Sequence, residues 1–178
     1  MEQLDIHLLS DFRILHNGVL LTKISAERLQ SLLAYLLLHR QAPQPRHHIA
    51  FVLWPDSSEA QARTNLRNLL HSLRQTLPAA DRFIATDNLT LQWRLDAPYQ
   101  LDVAAFEQAL AQAKQTGETS ARRQWLEQAI THYTGDLLPG NYDDWIIPLR
   151  DELRQRYCDA LSTLITLLEE TGDYRAAL

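Results

Sequence analysis

The sequence predicts a mainly α fold with a small β component, and three observations lead to this prediction. Segments that mix β-branched, aromatic and polar residues stand at residues 4–23 and 83–94, as expected of short strands. Leucines recur at helical spacing between these two segments. From Asp102 onward the apolar residues have helical spacing and no segment has the composition of a strand. Charge is also divided unevenly, with a balance of +1 in residues 1–98 and −6 in residues 99–178, which favours two domains with different tasks.

The N-terminal segment is predicted to form a small antiparallel sheet ahead of the first helix. Residues 5–8 and 12–15 each have the composition of a strand. Asn17-Gly18 then gives the strongest short hairpin signal, because these two residue types tolerate the backbone of a tight turn. Residues 19–21 supply the strand that follows the turn.

Three helices should follow, the second of them short. Ser25 is a candidate N-cap for the first helix, which ends near His39-Arg40 and has a core stripe of Leu29, Leu32, Leu33, Leu36 and Leu37. A proline-containing connector at residues 41–45 leads to the second helix, where Pro45 suits the first helical position. The inward-facing residues of this second helix are Ile49, Val52 and Leu53.

The third helix is the most informative part of the chain. Trp54-Pro55 ends the second helix, since a proline biases the residue before it away from helical geometry. Asp56 is the expected N-cap of the third helix, with Glu59 three residues on as in a capping box. Its apolar stripe consists of Leu66, Leu69, Leu70, Leu73 and Leu77.

The opposite face of this helix is polar and carries arginines along one flank. Asn and Gln can pair with adenine edges, and Arg can pair with guanine or bind phosphate, so this face suits a DNA major groove. An ordinary solvated surface helix is the alternative, because such polar faces are common. The polar residues are Gln61, Thr64, Asn68, His71 and Gln75, flanked by Arg63, Arg67 and Arg74.

A β-hairpin is predicted directly after the third helix. Residues 83–86 and 89–94 have strand composition on either side of a turn at Asp87-Asn88. A sheet, three helices and a hairpin in this order match a winged helix-turn-helix, in which the hairpin is the wing. This arrangement favours DNA binding by residues 1–98, with Trp93 and Tyr35 expected in the core.

The second half is predicted to be all-helical. Helices broken at Gly117 and Gly135 precede a longer third helix, and Gly172-Asp173-Tyr174 turns into a fourth. Helix pairs of this length resemble tetratricopeptide-like repeats, which bury their faces by stacking on neighbours. We therefore expect a truncated helical domain at residues 99–178, in an N-terminal fragment of a larger protein. The stripe residues are Val103, Phe106, Leu110 and Ala113, then Leu126, Ala129, Ile130 and Tyr133, then Leu149, Leu153, Tyr157, Leu161, Leu164, Ile165 and Leu168.

Three features of this half have structural interpretations. Residues 135–140 form a loop that steers the chain between helix pairs, with Tyr142 and Trp145 packed beneath it; a peptide-binding groove is the alternative. Asp143-Asp144 precede a helix and are expected to cap it. Cys158 is expected inside a helix as a small buried hydrophobe.

Two stretches resemble a known family of regulators. Residues 32–77 (LLAYLLLHRQAPQPRHHIAFVLWPDSSEAQARTNLRNLLHSLRQTL) resemble the winged-helix segment of the bacterial antibiotic-regulatory activators. Residues 133–178 (YTGDLLPGNYDDWIIPLRDELRQRYCDALSTLITLLEETGDYRAAL) resemble the bacterial transcriptional activator domain that follows it in those proteins. The resemblance implies an OmpR/PhoB-type winged helix and a tetratricopeptide-like domain. It also implies transcription activation by a dimer that binds double-stranded promoter repeats and contacts RNA polymerase.

The same resemblance places the recognition helix at residues 58–77. The second helix departs from the family pattern, because Gln44-Pro45-Arg46-His47-His48 replaces a Ser or Thr cap and acidic residues. The exposed DNA-binding residues that it implies are Arg63, Thr64, Asn65, Arg67, Asn68, His71 and Arg74, with Arg46, Asn88 and Arg94 as phosphate contacts.

Sequence motifs for catalysis, cofactors and metals are missing. The chain has no glycine-rich phosphate loop, HExxH or paired CxxC motif, and adjacent His47 and His48 diverge on a helix. We expect no enzyme activity, cofactor or metal. A lone cysteine and an acidic N-terminus without a signal peptide or membrane span fit a cytoplasmic protein that does not enter membranes.

Two further hypotheses stay open. In the first hypothesis the chain is a protein-interaction module, in which the winged helix mediates dimerisation and the helical repeats bind a partner. The nearly neutral charge of residues 1–98 motivates this hypothesis. In the second the chain is a fragment of an enzyme whose catalytic part lies beyond Leu178.

Overall fold

The computed structural model describes residues 3–170, which form seven strands and seven helices. The strands are β1 (Leu4–His7), β2 (Arg13–His16), β3 (Val19–Leu20), β4 (Gln44–Pro45), β5 (Ile84–Thr86), β6 (Thr90–Trp93) and β7 (Tyr99–Leu101). The helices are α1 (Glu27–Leu38), α2 (Arg46–Leu53), α3 (Glu59–Thr76), α4 (Ala80–Phe83), α5 (Asp102–Gln115), α6 (Thr119–His132) and α7 (Ile147–Glu170). The predicted fourth helix at Gly172-Asp173-Tyr174 lies outside the described residues.

The described chain divides into two compact units. The first unit contains residues 3–5 and 13–99, and the second contains residues 6–12 and 100–170. One sheet has the strand order β3-β2-β1-β7, and the other has the order β4-β6-β5 with antiparallel pairs. The mainly helical fold, with a winged helix-turn-helix followed by helices, confirms the predicted fold class.

The first unit places the predicted hairpins and helices around one core. Asn17 and Gly18 adopt φ values of 51° and 80°, the left-handed backbone that their hairpin turn needs, and Leu15 pairs with Leu20 across it. The core stripes of α1 and α3 are buried except for the half-buried Leu69. Trp93 is fully buried and its ring lies 5.9 Å from that of Phe83.

The predicted helix starts are wrong in detail. The N-cap of α1 is Ala26 and not Ser25, and no side chain caps this end. Pro45 precedes α2 as its N-cap. It also belongs to the edge strand β4, where it pairs with Thr90 of β6. This strand was not predicted, because prolines in a sequence argue against a strand.

The cap of α3 is also misplaced in the sequence prediction. Asp56 lies in a turn closed by the bond from Ser57 N to Trp54 O (3.2 Å). Ser58 is the N-cap instead, and its hydroxyl oxygen accepts from Gln61 N at 3.3 Å. Glu59 is therefore the first residue of the helix, where an acidic side chain complements the helix dipole.

Two short elements before the second unit were assigned wrongly or missed. Phe83 belongs to the one-turn helix α4 and not to a strand, because Ala79 turns the chain with a φ of 50° and lets a helix begin at Ala80. Strand β7 follows the wing and was not predicted, since Tyr99 to Leu101 is too short to show alternation.

The second unit contains α5, α6 and α7. The predicted stripe of α5 is buried, as are Leu126 and Ala129 of α6. On α7 the buried residues are Leu153, Ala160, Leu167 and Leu168. Cys158 falls off this face and is exposed, so its assignment as a buried hydrophobe is wrong.

The loop at residues 135–140 is tied to α7 by one arginine. The Arg150 guanidinium donates to the carbonyl oxygens of Leu137 (2.7 Å), Leu138 (2.6 Å) and Asn141 (2.6 Å). Tyr142 is 79% exposed, so the prediction that it packs beneath the loop is wrong, and the apolar side chains buried at this loop are those of Leu137 and Leu138.

Candidate nucleic-acid interface

The polar face of α3 is exposed over most of its length. Gln61, Asn68, His71 and Gln75 are exposed, whereas Thr64 and Asn65 are half-buried. Leu66, Leu70 and Leu73 hold the opposite face in the core. The helix therefore presents a row of polar side chains on a rigid element, as readers of the DNA major groove do.

Neighbouring side chains on this face bind one another. Gln61 Nε2 donates to Asn65 Oδ1 at 2.8 Å, and the Gln75 amide lies 3.0 Å from His71 Nε2. Thr64 donates its hydroxyl to the Ala60 carbonyl at 3.0 Å. These groups already have partners within the protein, so only their remaining lone pairs or protons are available to a ligand.

The three arginines along the flank of α3 differ in their partners. Arg63 is paired with Glu59 one turn earlier, and Arg74 lies 3.4 Å from Asp81. Arg67 is exposed and makes no side-chain hydrogen bond or ion pair within residues 3–170. An ion pair would have to open before Arg63 or Arg74 could bind DNA, whereas Arg67 is available at once.

A groove connects this flank to the wing, and we call it the α3–wing groove. The groove is open to solvent and has a volume of about 520 Å³. Four of the predicted DNA-binding residues line it together, although they are distant in sequence. The lining consists of Arg46, His47, Arg63, Leu66, Arg67, Asn88 and Leu89.

The wing tip is held against the start of α2. Arg46 N donates to the Leu89 carbonyl (2.8 Å), and the Arg46 guanidinium donates to the Asp87 carbonyl (3.0 Å). The Asp87 carboxylate accepts from Thr90 and from Leu89 N. These bonds, chiefly that of the Thr90 side chain, together with the positive charge of Arg46, hold the pKa of Asp87 below its usual value.

The remaining predicted contacts lie elsewhere on the first unit. Arg94 follows the last residue of β6 at the base of the wing, away from the tip, and its backbone N–H bonds to Phe83 O at 2.7 Å. Asn65 faces the flank of α3 opposite to Arg67, because the two residues are two positions apart on a helix. The assignment of all ten residues to DNA contact stays a prediction.

Three residues of the groove, His47, Leu66 and Leu89, were not among the ten predicted DNA contacts. His47 lines it from α2, and Leu89 lines it from the wing tip, where its side chain is 76% exposed. The sequence signal that could have identified Leu89 is its position as an apolar residue directly after the hairpin turn. Leu66 was predicted in the apolar stripe of α3, and its side chain is buried.

Comparison with known proteins supports the fold. No protein-family model matches the chain, and no curated protein matches its sequence. The solved structure of Mycobacterium tuberculosis EmbR in complex with a low-affinity phosphopeptide is similar, with a TM-score of 0.82 and 18% identity. The likeness covers 99% of this chain and 48% of that one, so this chain spans about half the length of EmbR. At this identity the comparison establishes a shared fold.

Among residues 3–170 there is no group of three or more His, Cys, Asp or Glu side chains placed to hold a metal ion. Within the same residues, no helix is both long and apolar enough to cross a membrane.

Proposed function

We propose that this chain is the DNA-binding part of a transcriptional regulator. In this proposal α3 enters the major groove of double-stranded promoter DNA, and the wing tip lies along the phosphate backbone. The observation that carries it is the α3–wing groove, where Arg46, Arg63 and Arg67 converge from two helices beside Asn88 of the wing. Cations that converge on one concave surface suit a polyanionic backbone.

The overall negative charge is compatible with this proposal. The acidic excess of −6 belongs to residues 99–178, whereas residues 1–98 balance at +1. Local charge decides phosphate contact, because exposed charges farther apart than about 10 Å are screened at 0.1 M salt. The charge that matters for phosphate contact is therefore that of the groove itself, whose described lining contains three arginines and no acidic residue.

The resemblance to the antibiotic-regulatory activators extends the proposal to partners. We propose that the chain acts as an activator, binds promoter repeats as a homodimer and contacts RNA polymerase. Residues 1–98 would serve as the DNA-binding domain and residues 99–178 as the helical activator domain. The likeness to EmbR supports the fold on which this depends.

Arg67→Ala tests the proposal with the least disturbance of the fold, because the exposed Arg67 side chain has no partner within residues 3–170 to lose. The affinity for a fluorescent duplex from the promoter region of its own gene is measured over a range of salt concentrations. Binding should weaken steeply with salt, and the variant should lower the slope of log affinity against log salt by about 1 if Arg67 contacts a phosphate.

Arg123→Ala is the matched control, because Arg123 pairs with Glu127 on α6 of the second unit. It should leave the slope at its wild-type value. Arg67→Ala binding with wild-type affinity and slope would show that this flank of α3 does not contact DNA.

A protein-interaction module is the second candidate, and exposed apolar side chains favour it. Phe51 on α2 is 66% exposed and Leu89 on the wing is 76% exposed. These residues would bury apolar area if the winged helix formed a dimer interface. This candidate predicts no retention on heparin at low salt together with a concentration-dependent mass in sedimentation. Retention on heparin that is lost with salt favours DNA binding.

A further inference from the structure

The three helices of the second unit line a small, partly open cavity, which we call the three-helix cavity. It measures about 130 Å³, well below the roughly 300–1,000 Å³ of sites for drug-sized ligands. Its apolar wall is formed by buried side chains of all three helices, among them Leu110 of α5, Leu126 of α6 and Ala160 of α7. A cavity of this size and lining accommodates a short apolar group.

Cations from all three helices line the same cavity. They are Lys114 of α5, Arg122 of α6 and Arg156 of α7. Asp159 is the one acidic residue of the lining, and its carboxylate accepts from Gln155 at 2.8 Å. A positive lining is unexpected here, because residues 99–178 have a charge balance of −6.

Two of these cations have no counter-ion in the fold. Within residues 3–170, the exposed side chains of Lys114 and Arg122 make no hydrogen bond or ion pair. Arg156 differs, since it lies 3.5 Å from Glu107 and over the Phe106 ring. Arg123, the neighbour of Arg122, is paired with Glu127 at 2.8 Å. Among the Lys and Arg side chains of the described second unit, those that the fold leaves available are therefore Lys114 and Arg122, and both line the cavity.

We propose that the three-helix cavity binds a small carboxylic acid with an apolar body. The carboxylate would be held by Lys114 and Arg122, because a guanidinium and an ammonium supply charged donors to both oxygens. The apolar body would lie against Leu110 and Leu126. This site goes beyond DNA binding and does not depend on it, since the first unit contributes none of the residues named.

Calorimetric titration of the 178-residue chain with benzoate, benzamide and inorganic phosphate tests the chemistry. Benzoate should bind saturably with a dissociation constant on the order of 1 mM or lower. Benzamide has the same shape without the charge, and it should bind at least about tenfold more weakly because two charged hydrogen bonds are lost. Phosphate should not saturate the site, since it has no apolar body.

Arg122→Gln and its neighbour Arg123→Gln form a matched pair on α6. Arg122→Gln should weaken benzoate binding about tenfold, and Arg123→Gln should leave it within about twofold of wild type. Lys114→Gln provides a second variant on another helix, and circular dichroism checks that each variant is folded.

Several outcomes would overturn the proposal. They are the absence of saturable benzoate binding up to about 10 mM, equal binding of benzoate and benzamide, and wild-type benzoate affinity in both Arg122→Gln and Lys114→Gln. Phosphate binding that is tighter than benzoate binding would also overturn it, because the cavity would then be a simple oxyanion site.

Discussion

The ion pair between Glu59 and Arg63 gives the sharpest prediction for the α3–wing groove. Arg63 lines the groove but is paired with Glu59, the first residue of α3. Glu59→Gln should therefore strengthen DNA binding, because it releases Arg63 and removes an acidic charge beside the groove. A substitution that increases affinity is more diagnostic than one that decreases it, since loss of folding cannot imitate it.

The expected magnitude follows from the exposure of the pair. The side chains of Arg63 and Glu59 are 64% and 74% exposed, and exposed pairs of this kind contribute about 0–1 kcal/mol. The free energy needed to open the pair therefore lowers the affinity of the wild type for DNA by at most about fivefold. With one less negative charge near the phosphates, we expect a gain of about three- to tenfold at low salt, which shrinks as salt screens the groove.

The stability of the chain should change in the opposite direction. An acidic side chain in the first turn of a helix stabilises it by about 0.3–1 kcal/mol through the helix dipole, and Glu59 holds that position. Glu59→Gln should lower the free energy of unfolding by about this amount. Fluorescence anisotropy with promoter DNA and urea unfolding measure the two effects on the same preparation.

Glu127→Gln is the matched control, because Glu127 forms the same type of pair with Arg123, four residues apart on α6. It changes the net charge equally, so it reports any effect of total charge on DNA affinity. Equal gains in the two variants would refute a local effect at the groove. Weaker DNA binding by Glu59→Gln would refute the role given to Arg63.

Two further predictions concern the fold. Ser58→Ala should lower the free energy of unfolding by about 1 kcal/mol, since the Ser58 side chain caps α3. Asp56→Ala should change it by less than about 0.5 kcal/mol in the same urea titration. A larger loss of stability in Asp56→Ala than in Ser58→Ala would identify Asp56 as the cap. Burial, followed by the hydrogen bond to Asp136, raises the pKa of Tyr133 to about 12, above the roughly 10 of an unfolded tyrosine. The stability due to the raised pKa of Tyr133 is therefore complete below pH 10 and lost as pH rises through 12. Between pH 10 and 12 the free energy of unfolding in urea should fall less steeply in Tyr133→Phe than in the wild type. An equally steep fall in both proteins would contradict the raised pKa of Tyr133.

Features set by neighbouring residues were predicted from the sequence. The hairpin at Asn17-Gly18 is one, because the residue types that tolerate a positive φ are adjacent and the structure has both in that conformation. The buried stripes of α1 and α3 are others, since leucine spacing alone defines the inner face of a helix.

Features set by distant residues were not predictable. Strand β4 exists because Pro45 pairs with Thr90, 45 positions later in the chain. Leu89 and His47 join Arg67 in one groove only when the wing meets the start of α2. Spacing along one helix identified the polar face of α3, but it could not indicate which arginines are paired and which are available.

The positions of the cations connect the two proposed sites. Most arginines of the second unit are engaged by the fold, because Arg150 binds three carbonyl oxygens, Arg154 binds Asp136 and Arg123 binds Glu127. Removing one of these leaves buried or acidic groups without their partner, so its main effect should be on stability.

Three cations of the proposed sites have no side-chain partner within the described residues, and their expected effect is different. Arg67 lies at the α3–wing groove, and Lys114 and Arg122 lie at the three-helix cavity. Neutralising them removes no internal contact within residues 3–170, so their loss should reduce anion binding while the free energy of unfolding stays nearly unchanged. Loss of anion binding without loss of stability is therefore the result that both proposals predict for these three residues.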